Sequence, residues 1–134
     1  VSVSNSQVVT GALRLLAILA ETQDASAEQA EQGLDILNDM LAAWRAGEDG
    51  IDFGWYPQTD LNATAPIPDG DVRCVKYNLA CSIAPEYGVE PTETTKEVAV
   101  AAYAHLARRY LKVVDSDMGD LPRSFPLSGW SPFV

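Results

Sequence analysis

Three kinds of side chain could carry chemistry in this 134-residue chain: one histidine, two cysteines and nineteen carboxylates. His105 stands between Ala104 and Leu106 with no second histidine to complete a metal or relay pair, and it reads as a packing or surface residue. Cys74 and Cys81 fall in a helical stretch on about the same face, but roughly 10 Å apart along the axis, too far for a bridge. They read as reduced core thiols, which suits a cytoplasmic compartment. Nucleophilic catalysis requires a nucleophile, a base to activate it and a group to stabilise developing charge. No GxSxG, HExxH, phosphate-cradling glycine loop or CxxC occurs. The remaining enzymatic pattern is a glycosidase-type carboxylate pair, two acids roughly 5 to 10 Å apart with one pKa raised. Glu48, Asp49 and Asp52 are the set flanked by aromatics, Trp55 and Tyr56, that could stack on a sugar. With so many acids such a spacing arises by chance. No catalytic residue, cofactor site or metal ligand is assigned.

The elements that would hold these groups form one domain by size. With 47% apolar and 21% charged residues, a single core can fold without metal or disulfide support. The longest apolar stretch, Ala12 to Ala20, is interrupted by Arg14 and is too short for a membrane span. A net charge of −10 argues against a sequence-reading nucleic-acid binder, because such proteins gain affinity by setting Lys and Arg against phosphates. An acidic wall would instead repel passing double-stranded DNA and keep it from sticking.

Ser4-Asn5-Ser6-Gln7 and Ser26-Ala27-Glu28-Gln29 both match a capping box and open two predicted helices. The first runs to about Ala20, with Val9, Ala12, Leu13, Leu16, Ile18 and Leu19 wrapping more than one face, so the fold, a neighbour or both must bury it. The second spans about Ala27 to Ala46, with Leu34, Leu37, Leu41 and Trp44 at helical spacing, until Gly47 ends it. Glu28, Glu31, Asp35 and Asp39 lie largely opposite that stripe and read as a solvated acidic face. Asp69 or Asp71 caps a third helix carrying Val75, Leu79 and Ile83, which runs to Pro85 or on to Gly88. Thr94, with Glu97 behind it, opens a fourth from about Thr95 to Val114, where Arg108, Arg109 and Lys112 suit the negative end of the helix dipole. Leu16, Leu37, Leu41, Trp44, Leu79 and Ile83 are the expected core.

Two segments break the helical pattern. Residues 47–71 carry Gly47, Gly50, Gly54 and Gly70 with Pro57, Pro66 and Pro68, which excludes a long helix. Phe53, Trp55 and Tyr56 within it are expected to be exposed and to make a protein contact, which for a ring protein of the kind the resemblance below implies would be with a neighbouring subunit or a tail component, unless they fold back as a lid on the helices. Residues 115–134 hold Pro122, Pro126 and Pro132, which forbid a regular helix, yet Leu121, Phe125, Leu127, Trp130 and Phe133 are too apolar for an idle tail. The expected fold is all-α, a four-helix core with a long irregular loop between helices two and three. A helical domain, 1–114, is followed by an extended partner-binding tail, 115–134.

Within that frame the run Leu34-Asp35-Ile36-Leu37-Asn38-Asp39-Met40-Leu41-Ala42-Ala43-Trp44, then Gly50-Ile51, and above all Tyr77-Asn78-Leu79-Ala80-Cys81-Ser82-Ile83-Ala84-Pro85-Glu86-Tyr87 resembles the tail accessory or adaptor proteins of the head-to-tail connector of short-tailed bacteriophages, which seal packaged DNA beneath the portal. Ala12-Leu13-Arg14 and Leu121-Pro122 fit the same family's opening and tail. The resemblance implies a virion protein assembled in the host cytoplasm as a ring, usually of twelve copies, between the portal and a downstream tail component. It implies docking on the portal through Leu121, Pro122, Phe125, Leu127, Trp130 and Phe133. It carries a hydrolase role onto no residue. A non-enzymatic structural adaptor, with no membrane contact and only passive proximity to DNA, is therefore the expected function. A bacterial helical binding or regulatory module and a carboxylate-based peptidoglycan hydrolase are the alternatives.

Overall fold

Serine hydroxyls set the first two helices. Ser4 Oγ accepts the Gln7 amide at 3.1 Å while Gln7 Oε1 accepts the Ser4 amide at 2.9 Å, and Ser26 and Gln29 repeat the exchange at 3.2 and 2.9 Å. Two orphan donors are satisfied at each start, as the sequence predicts. The structure, a computed structural model, describes residues 2–118. Its helices are α1 (Asn5–Leu15), α2 (Ala27–Ala46), α3 (Val72–Tyr87) and α4 (Glu93–Met118), with one 3-10 turn, Asp69–Asp71, leading into α3. No strand occurs among the described residues, only an isolated antiparallel bridge between Ser4 and Thr64. The all-α expectation holds, with four helices and an irregular segment between α2 and α3.

Helix α1 stops short of the expected Ala20. Ala17 adopts φ 60°, in the left-handed region, and the Ile18 and Ala17 amides turn back onto the Leu13 and Arg14 carbonyls at 3.1 and 3.0 Å. This is a Schellman closure built on alanine, although glycine is the residue that adopts that backbone without steric cost. The closure corrects the picture of a helix apolar all round. Leu16, Ile18 and Leu19 leave the helix and fold back on the core, with Leu19 buried and the other two half-buried. The chain covers this apolar surface itself.

At the other end of the domain Gly88, φ 66°, closes α3 in the same way, its amide on the Pro85 carbonyl and that of Val89 on Ala84. Helix α4 begins earlier than expected because Thr92, not Thr94, is the cap: its hydroxyl accepts the Thr95 amide at 3.2 Å. It also continues past Val114 to Met118, so Arg108 and Arg109 lie inside the helix and not at its negative end.

Helix α3 is the central element and packs against the other three. Val8, Val9 and Leu13 of α1, Leu37 and Leu41 of α2, and Val75, Leu79 and Ile83 of α3 form the main core, all 2% exposed or less. Of the expected core residues, Leu16 and Trp44 are only half-buried at its edge. Helices α1 and α2 approach so closely that a Cβ on Gly33 would sit 2.3 Å from Val9 Cγ1, which explains a glycine within a helical stripe. A smaller cluster of Ile51, Cys74, Leu106 and Ala107, edged by Trp44, Phe53 and Tyr103, fastens α4. Leu79→Ala is expected to lower unfolding free energy by about 2 to 5 kcal/mol, from lost burial and the cavity left behind. Urea denaturation followed by circular dichroism measures it, and a loss below about 0.5 kcal/mol would mean that the site is not enclosed.

Candidate functional site

An irregular segment of this length has no ladder to satisfy its backbone, so side chains must do it. Asn38 of α2 turns its amide onto Gln58, Nδ2 donating to the Gln58 carbonyl and Oδ1 accepting the Gln58 amide, both at 2.9 Å. The same Oδ1 accepts Trp55 Nε1 at 3.2 Å. Gln58 is itself buried, its Nε2 donating to the Tyr56 carbonyl and its Oε1 accepting Asn5 Nδ2 at 3.0 Å. Asn5, wholly buried in the first turn of α1, also donates to the Asp60 carbonyl at 2.9 Å. The Asn5 and Ser6 amides donate to the Ala63 and Leu61 carbonyls, and the Ala65 amide to Val3. Arg45 adds a bond from α2 to the Trp55 carbonyl at 3.0 Å. The segment is thereby stitched to two helices and shaped into a fixed surface.

That stitching replaces the expectation of three exposed aromatics with its lid alternative for two of them. Trp55 is 5% exposed and belongs to the main core, because its apolar ring and its one polar atom both find partners inside. Phe53 is half-buried between the two apolar clusters. Tyr56 alone faces outward, at 61%. The tail residues Leu121, Pro122, Phe125, Leu127, Trp130 and Phe133 lie outside the described residues.

The acids near the aromatics hold the segment in place. Asp49 accepts the Tyr103 hydroxyl at 2.7 Å, tying the start of the segment to α4, where Tyr103 also meets Trp44 edge-on with ring centroids 5.0 Å apart. Burial and the Asp49 carboxylate push the Tyr103 phenol up to about 12. Asp52 accepts the Gly54 amide in a local turn. Trp55 faces Asn38 and is not a platform for sugar. Cys74 and Cys81 are free thiols, the first buried and the second half-buried. Burial, reinforced by the neighbouring Asp71 carboxylate, pushes Cys74 up to about 11, leaving it protonated and unreactive near neutral pH. Among the described residues no group of three or more His, Cys, Asp or Glu side chains is placed to hold a metal ion, and no helix is long and apolar enough to cross a membrane.

A second feature is absent from any local pattern. Asp71 occupies the cap position of α3 but makes no cap bond, and its buried carboxylate instead receives Arg109 Nη2 from α4. Beside this pair lies a groove of about 480 Å³ between the start of α3 and the middle of α4, lined in part by Arg73, Cys74, Ala101 and His105. His105 is exposed on its wall, in keeping with the surface reading.

The profile of the P22 tail accessory factor family matches residues 2–125, almost the whole chain and the entire stitched segment. The chain belongs to that family. Among curated proteins, the peptidoglycan hydrolase gp27 of Acyrthosiphon pisum secondary endosymbiont phage 1 is 27% identical over 125 residues, covering 89% of this chain and 78% of that protein. Membership places the chain among bacteriophage tail accessory proteins, a structural role in the virion, and gives the helical core with its stitched segment its biological setting. The strongest internal demand of this family member falls on Asn38. Asn38→Ala strands the Trp55 Nε1 donor and both backbone groups of Gln58, and each buried polar group left unmatched costs about 1 to 3 kcal/mol. The expected result is a clear drop in the denaturation midpoint together with faster protease cleavage within 47–68. Unchanged cleavage would mean that the network does not hold the segment.

Proposed function

We propose that this tail accessory protein is a ring-forming adaptor that joins the portal to the tail and helps retain packaged DNA. The observation that carries the reading is the family match across residues 2–125. Two physical features support it. The conspicuous polar groups of the long segment are spent on holding shape and do not converge on a pocket, as suits a part whose task is to present a surface. The net charge of −10 gives the wall of a conduit a field that repels DNA and lets it pass. Twelve copies would supply avidity to a weak docking tail, because each tail after the first binds at high effective concentration.

In this reading residues 121–134 dock on the portal. Full-length protein mixed with purified portal rings is expected to co-elute as one large complex in size-exclusion chromatography. The chain lacking 121–134 is expected to elute separately while keeping its thermal midpoint within about 2 °C, a change below about 1 kcal/mol. A truncated chain that still joins the portal, or that unfolds, overturns the docking role.

The name of the gp27 relative favours a second reading, hydrolysis of peptidoglycan. It would have to use Glu48, Asp49 and Asp52, of which Asp49 and Asp52 are already engaged by Tyr103 and Gly54. Under the adaptor reading, purified protein leaves the turbidity of a peptidoglycan suspension unchanged. Clearing that Asp49→Asn or Asp52→Asn abolishes would establish the hydrolase.

A further inference from the structure

The cations of this acidic chain are unevenly placed. Arg14, Arg45 and Lys96 are occupied within their own surroundings, by the Gln23 carbonyl, the Trp55 carbonyl and the Glu90 carboxylate. Arg73 and Arg109, together with His105, instead line the groove between α3 and α4. Arg109 is anchored by buried Asp71, yet its side chain remains 52% exposed, and a guanidinium has donors to spare beyond one carboxylate. Arg73 lies exposed with its guanidinium 5.2 Å from the Tyr77 ring centroid, which limits its freedom without neutralising it. The α4 side of the lining also carries the apolar Val98, Ala101 and Ala102. A lining that combines cations with apolar side chains suits an amphipathic, acidic surface.

The same molecule carries one. Glu28, Glu31, Asp35 and Asp39 are exposed along about 16 Å of α2, and none forms an ion pair with another described residue. Glu31, Asp35 and Asp39 follow one another at i, i+4 spacing, where like charges repel and weaken a helix. A neighbour that brings cations to this stripe relieves the repulsion. Small side chains farther along the helix, Ala42, Ala43 and Ala46, are also exposed and allow close approach. The stripe and the groove are different faces of one chain, the condition for a head-to-tail contact that repeats and closes.

We infer that in the assembled protein the acidic face of α2 on one copy docks in the Arg73–His105–Arg109 groove between α3 and α4 of the next copy. This deepens the adaptor reading and rests on it. Charge complementarity selects the occupant: the groove lining sets two guanidiniums, Arg73 and Arg109, against one buried carboxylate, Asp71, a net positive spot on a chain of net charge −10, so a second copy offers the opposite sign at high local concentration once the first subunits gather.

The test is a charge exchange on the full chain, with assembly read by analytical ultracentrifugation alone and on purified portal rings. One variant is Arg73→Glu with His105→Glu, and the other is Asp35→Lys with Asp39→Lys. All four positions are exposed and none joins the buried amide network, and circular dichroism checks that both variants fold. Each variant alone is expected to lose assembly by about a hundredfold in association constant, since it sets like charges face to face. An equimolar mixture of the two is expected to recover it, because the reversed helix of one then meets the reversed groove of the other. If wild-type protein never assembles, with or without portal, the ring reading itself fails. If wild type assembles and both variants do so equally well, or if both fail and the mixture does not recover, this interface is wrong while the ring stands. Loss of portal binding by the groove variant without rescue would assign the groove to the portal and overturn the proposal.

Discussion

The paired amides of Asn38 and Gln58 are the constraint on which the rest of the structure turns. Two carboxamides and one indole bring the backbone of a long irregular segment to rest against helices that already have their own hydrogen bonds. Without them the segment would have to solvate its carbonyls and amides, and a solvated segment could not bring Trp55, Ala65 and Ile67 into the core. The network and the apolar burial are therefore one cooperative unit. Asn5 extends it to the first turn of α1, so the N-terminal helix, the second helix and the segment are fixed in a single arrangement.

The second fixed arrangement is electrostatic. Asp71 is 7% exposed and its charge is matched by Arg109 across from α4, where main-core contacts are few. With Arg109 half exposed the pair contributes little net stability, but removing Arg109 leaves the buried Asp71 charge uncompensated, so the pair specifies where α4 must lie. Tyr103 on Asp49 and Trp44 makes a second fastening on the same helix. Together they orient α4, and with it the groove wall that carries His105 and Arg109.

How much of this was legible in the sequence depended on the range of the interaction. Both capping boxes are local in sequence and were readable, as were the bounds of α2 and the buried stripe of Leu37, Leu41, Leu79 and Ile83. The end of α1 was not, because the left-handed turn falls on Ala17, which carries no glycine signal, and the apolar residues beyond it continue a helical spacing they do not adopt. The sequence leaves Trp55 open between a surface anchor and a lid on the helices, because its neighbours are turn formers; the partner that decides for the inward position, Asn38, sits seventeen positions away on a helix face that otherwise looks like a polar edge. Asp71 with Arg109 was missed for the same reason, each residue having a sufficient local explanation as a cap or as a dipole cation. The family, by contrast, was legible from the runs Leu34–Trp44 and Tyr77–Tyr87, whose residues supply the α2 and α3 core and the Asn38 hub.

These fixed arrangements bear on what the proposed ring-forming adaptor would require. A closed ring tolerates only one rotation between successive copies, and an error repeated at each interface turns the ring into an open helix. A subunit can set that angle only if its two contacting faces are rigidly related. Here the α2 face is tied through Asn38 to the long segment, and the α3–α4 groove is tied through Asp71, Tyr103 and the second apolar cluster to the same body. In the proposed ring, the polar groups buried in this small protein would have a use beyond stability, since they hold the α2 face and the α3–α4 groove in one rigid relation. That also explains why so many side chains capable of chemistry, carboxylates, amides and a thiol among them, are committed to neighbours within the chain.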